Sequence, residues 1–150
     1  MNFPILSSLI ILPTIGALFL LFSKDKNSNS IKYVALFTSF VNFIVSIYLW
    51  YLFDPSTSSF QFVEDKEWLK GFINYKVGID GISILFIILT TFITPLCIIS
   101  VNNTVKIRLR DFLIAVLIME SLMIGVFCSL DLVIFYLFFE AGLIPMFLII

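Results

Sequence analysis

The 150-residue chain contains no histidine, which removes haem ligation, the commonest zinc ligand and the usual general base from its chemistry. It has two cysteines, Cys97 and Cys128, both in apolar segments. The expectation is two free thiols acting as small hydrophobes, because pairing them would need their backbones to come close. Charge is scarce: 13% of residues are charged and 61% hydrophobic, with a mean hydropathy of +1.13. A soluble domain carries about 25% charged residues. Too little polar surface remains to cover a globule in water, so the class is an integral membrane protein. Net charge is −1 and no basic run points to nucleic acid. Neither GxGxxG nor GxxxxGK[ST] occurs, so no nucleotide site is indicated. The start, MNFPILSSLIILPTIGALFLLF, lacks the positive n-region of a secretory signal and reads as a first transmembrane helix.

A spanning helix needs about 20 mostly apolar residues. Five such segments are expected, at about 3–22, 31–53, 81–101, 112–130 and 132–150, giving an all-α membrane domain over 1–150. Residues 54–78 form the longest polar stretch, with EDKEWLKGF at its middle. They read as an extramembrane loop with room for a short hairpin, and Trp68 is an aromatic of the headgroup-level type. Only Ser129 to Asp131 separate the last two helices, which must form a tight antiparallel pair. Asp131 and Asp80 each precede a helix and read as N-caps. Loops one and three carry Lys24, Lys26, Lys32, Lys106, Arg108 and Arg110. The positive-inside rule puts them in the cytoplasm or matrix and the N-terminus on the opposite side. No closing signal follows Pro145, so 150 residues read as a piece of a longer unit or one that another chain continues.

The oddest residue is Glu140, alone among Phe, Tyr, Leu, Ile and Met in FYLFFEAGLIPMFLII. A charge at mid-bilayer costs about 2.5–3.5 kcal/mol on insertion scales. Glu140 lies nine residues past Asp131, about 13–14 Å down the helix and near the middle of the apolar core. Alone there the carboxyl keeps its proton; beside a buried cation it ionises. That makes it a candidate proton relay, weighed against service as interhelical polar glue. Pro145 frees the carbonyl of Ala141, next to Glu140, and Gly142 between them permits close approach by a neighbour. Glu120 is a possible second proton site. It lies within about 3 Å of the same depth, so the two acids could share a cavity if the helices were suitably rotated. It sits beside a small-residue face, Ser121, Gly125 and Ser129, suited to close helix contact. In the third helix Pro95 frees the carbonyl of Thr91, and neighbouring threonine hydroxyls are expected to satisfy it at a kink.

The stretches YKVGIDGISILFIILTTFITPLC and LMIGVFCSLDLVIFYLFFEAGLIPMFLII resemble the antiporter-like membrane subunit M, or chain 4, of proton-pumping NADH:quinone oxidoreductase, respiratory complex I. The resemblance runs from about Tyr75 to the end; the first two helices match in pattern only. It implies an H+-translocating oxidoreductase subunit of about fourteen helices, with no redox chemistry in this chain. Glu140 falls on a glutamate that pairs with a lysine of a later helix; Glu120 falls on no hallmark residue. It further implies NADH, FMN, iron–sulfur clusters and quinone elsewhere in the complex, and none held here. The partners implied are other membrane-arm subunits, the lipid bilayer, and a chain or downstream segment completing the subunit. The location is a mitochondrial inner or bacterial plasma membrane. Every lysine here lies in a loop, so this chain alone should not move protons by that mechanism. Two alternatives compete: a subunit of a multi-chain Na+/H+ antiporter, and a non-pumping structural fragment of the membrane arm. LIPMFLII and EDKEWLKGF favour complex I.

Overall fold

In the computed structural model, residues 4–22, 28–69, 73–101 and 108–150 are described. They form α1 (Ile5–Phe22), α2 (Ser28–Leu52), β1 (Gln61–Leu69), β2 (Ile73–Ile79), α3 (Gly81–Ser100), α4 (Leu109–Cys128) and α5 (Leu132–Ile149). All five helices are long and apolar enough to cross a membrane. Helix α2 starts three residues earlier than hydropathy suggests, taking in Ser28–Ser30, and α4 likewise takes in Leu109–Asp111. Polar residues can extend a helix beyond the bilayer edge, where backbone bonding persists after the apolar run has stopped. Helices α3 and α5 run through Pro95 and Pro145 without a break. Each proline removes one backbone donor without ending its helix, as neighbouring groups in a bundle allow.

Between α2 and α3 the polar stretch folds as an antiparallel β1–β2 hairpin. It closes the end of the bundle where α1, α3 and α5 begin. Val77 bridges to Ser129, and the Leu130 N–H donates to the Lys76 carbonyl at 3.0 Å, tying the hairpin to the α4–α5 turn. The Trp68 side chain, Lys24, Lys26 and Lys106 lie outside the described residues.

Helix α1 has no acid in its first turn and no base in its last. Distant residues serve both ends. Glu64 of β1 accepts from the N–H groups of Leu6 and Ser7 at 3.0 and 3.2 Å and from the Ser7 hydroxyl. A carboxylate there satisfies free donors and complements the helix dipole. Tyr75 lies 3.2 Å from the Ser7 hydroxyl, and burial pushes its phenol above the ordinary value of 10. At the far end Arg110 of α4 donates to the Leu21 carbonyl. The other caps are local. Asp80 accepts from the Ser83 N–H at 2.7 Å, and Asp131 from Val133 and Ile134 at 2.8 and 3.3 Å.

The interior divides into two apolar clusters. One, nearer the hairpin, contains Leu6, Leu9, Leu49, Ile84, Ile87 and Ile124. The other, towards the opposite end, contains Ala17, Leu20, Ala35, Ile98, Leu113 and Leu117. On α1 to α4 the members of the two clusters are separated by about two to four helical turns, and on α2 to α4 those turns hold the polar residues described next.

Candidate functional site

Helix α2 buries a stripe of Ser39, Asn42 and Ser46, all fully inaccessible. The spacing of three and then four residues puts them on one helical face. Facing them at the same height are Thr91 of α3 and Glu120 of α4, exposed by 0% and 2%. Asn42 Nδ2 donates to Glu120 Oε1 at 2.8 Å. The Ser46 and Thr91 hydroxyls are bonded at 2.7 Å, and the Ser121 hydroxyl donates to the Ile10 carbonyl of α1 at 2.5 Å. A polar layer thus crosses four helices between two apolar halves. Buried polar groups persist where partners satisfy them. Asn42 Oδ1 and Glu120 Oε2 have no hydrogen-bond partner among the described residues.

Glu140 stands outside this layer. It is exposed on α5 and accepts from the Tyr136 hydroxyl one turn earlier at 2.5 Å. The shared cavity that a suitable rotation would have allowed the two acids does not form. Gly125 is the reason: a Cβ there would meet the Phe138 ring at 2.7 Å, so α4 receives α5 at that point. At about 100° per residue, Glu120 lies about 140° around α4 from Gly125, and Glu140 about 160° around α5 from Phe138. Both acids therefore point away from the contact between their helices. Among the described residues nothing lies within 4 Å of a Cβ built on Gly142, so none of them uses the close approach it permits. Of α5, only Ile134 and Pro145 are buried.

In α3 the threonines bond carbonyls one turn back: Thr90 to Phe86 at 2.8 Å, Thr91 to Ile87 at 3.1 Å and Thr94 to Thr90 at 3.0 Å. Among the described residues no side chain reaches the Thr91 carbonyl, contrary to expectation. A threonine hydroxyl reaches back to the turn before it, and Pro95 itself fills the position four residues on. Both cysteines are free, Cys97 exposed and Cys128 buried. Among the described residues no group of His, Cys, Asp and Glu could hold a metal ion. Asn42 and Ser46 were not singled out from the sequence. The signal was present as a polar stripe at helical spacing in an otherwise apolar span.

Five membrane-length helices around a buried polar layer define a multi-pass helical membrane protein. The chain is 48% identical over 146 residues to NADH-ubiquinone oxidoreductase chain 4 of Marchantia polymorpha, covering 97% of this chain and 30% of that protein. It is 56% identical over 126 residues to NADH-quinone oxidoreductase subunit M of Rhodobacter capsulatus, covering 84% and 24%. To subunit M of Rickettsia prowazekii it is 44% identical over 154 residues, covering 100% and 31%. No protein-family model matches the chain. It belongs to the subunit M/chain 4 family of NADH:quinone oxidoreductases and corresponds to the N-terminal portion. The chain spans less than a third of the length of these relatives.

Proposed function

We propose that the chain works as the N-terminal part of a membrane-arm subunit of proton-translocating NADH:quinone oxidoreductase, with Glu140 as a proton relay. The relatives named above support the assembly. The observation that carries the relay is the position of Glu140: an acid in mid-span, on a helix face that the other four helices leave uncovered. A carboxyl group there holds its proton while no cation is near and releases it when one approaches. The cation comes from a downstream segment or a second chain that completes the subunit. Pro145 leaves the Ala141 carbonyl, beside Glu140, as a hydrogen-bond acceptor for water or for that partner. Glu120 serves as a second proton site, inside the bundle.

The N-terminus and the β-hairpin face the intermembrane space or periplasm, and Lys32, Arg108 and Arg110 face the matrix or cytoplasm. Other membrane-arm subunits and the bilayer are its partners. NADH, FMN, iron–sulfur clusters and quinone bind elsewhere in the complex. The test is Glu140→Gln in the full subunit within its complex. NADH oxidation by quinone should persist while proton translocation, measured in closed vesicles, falls at least tenfold. Unchanged translocation with normal assembly would make this segment a structural part of the arm instead.

A further inference from the structure

The Asn42–Glu120 contact has one hydrogen bond and one lone acceptor on each side. Asn42 Nδ2 donates to Glu120 Oε1 at 2.8 Å, while Asn42 Oδ1 and Glu120 Oε2 are buried without a partner among the described residues. A carboxylate accepts only, and so does an amide oxygen. The two unsatisfied atoms are not scattered; they belong to the two members of one bonded pair. A single proton on Oε2 supplies the missing donor. Oε2–H then gives to Oδ1 as Nδ2–H gives to Oε1, and four polar atoms close a ring.

Among the described residues no other donor reaches either oxygen. The Ser46 and Thr91 hydroxyls bond each other and Ser121 is committed to Ile10. Helix α1 has no ionisable side chain, and α3 has only Cys97, which is exposed. On α5, Tyr136 and Glu140 are exposed and bonded to each other. On α2, Tyr33, Tyr48 and Tyr51 are exposed and Lys32 lies about 15 Å along the axis from Asn42. Arg110 and Asp111 lie about 14–15 Å along α4 from Glu120. On β2, Tyr75 turns to Ser7 and Lys76 to Asp65, 3.8 Å away.

We infer that Asn42 is the positioning partner of Glu120: the two side chains form a one-proton acid–amide ring that joins α2 to α4, closed when Glu120 carries its proton and opened when the proton leaves. This rests on the proposed second proton site and names what holds it. The ring also couples that site to helix packing, because losing the proton leaves two buried oxygens as unpaired acceptors.

Infrared difference spectroscopy of the full complex in membranes tests this at neutral pH. A carbonyl band of a protonated carboxyl group should vanish in Glu120→Gln. It should shift in Asn42→Leu, where the amide is lost, and shift less in Asn42→Gln, which keeps the amide on a longer side chain. If Asn42→Leu does not assemble, Asn42→Gln decides alone, because its longer side chain should still move the band. Absence of a Glu120-dependent band, or a band that neither Asn42 variant moves, overturns the ring. Proton translocation separates the two readings: a Glu120→Gln complex that loses the band yet pumps normally leaves the ring standing and removes Glu120 from the proton route.

Discussion

Glu120 and Glu140 are the same residue type at nearly the same depth in adjoining helices, and the fold treats them in opposite ways. Glu120 is enclosed by α2 and α4 and bonded to Asn42; Glu140 is exposed and bonded to a tyrosine of its own helix. The difference is rotation about the helix axis. Helix α4 is surrounded and buries eight residues, whereas α5 buries two. An acid on the first must be satisfied by this chain. One on the second lies on a face that this bundle leaves open. Burial by neighbours, rather than depth in the membrane, decides whether such an acid binds the bundle together or stays on its surface.

Stability is where this contrast should be largest. Glu120→Ala leaves Asn42 buried without its acceptor and opens a cavity, and should destabilise the purified protein in detergent by about 2–4 kcal/mol. Glu140→Ala should change it by about 0.5 kcal/mol or less, as for a residue with few neighbours. Equal losses in thermal melts would erase the distinction. Chemical access is the next measure. A hydrophobic carbodiimide should modify Glu140 about tenfold faster than Glu120, a factor worth about 1.4 kcal/mol, as read by peptide mass spectrometry of purified protein. Preferential labelling of Glu120 would mean that the buried face opens.

A smaller effect sharpens the contrast at the start of α5. Asp131→Ala removes the acceptor for two backbone donors and should cost about 1 kcal/mol, localised as faster hydrogen exchange at Val133 and Ile134. The smallest effect concerns Asp80. Hydrogen bonds from the Ser83 side chain and then its backbone N–H hold the Asp80 carboxyl below its ordinary value of 3.8. Its stabilising contribution is therefore present above that value and lost as pH falls through the lower, folded one. Acid titration below pH 4 should loosen the first turn of α3 in hydrogen exchange, and Asp80→Asn should flatten that response.

Much of the architecture was legible in the residues. Five apolar runs of spanning length correspond to α1 to α5, since a backbone in hydrocarbon must bond to itself and a helix does so within one segment. Local chemistry was legible too: an aspartate directly before an apolar run has free N–H groups within reach whatever surrounds it. What was not legible depends on residues far apart in the chain. The caps on α1 come from Glu64 and Arg110, separated from their targets by 57 to 89 residues. The role of the Ser39–Asn42–Ser46 stripe appears only when α4 delivers Glu120 to it. Whether the two acids share a cavity was left open for the same reason, because side-chain depth follows from counting residues but facing direction does not.

The sequence by itself determined that this is a membrane protein, how many times it can cross, and at what depth its two acids lie, because hydropathy and a rise of 1.5 Å per residue are properties of each segment alone. Only the tertiary structure decided which acid is enclosed, which one faces outwards and which amide meets Glu120. Those follow from the angle at which α4 receives Phe138 against Gly125, and a rotation between two helices is set by how their surfaces interlock.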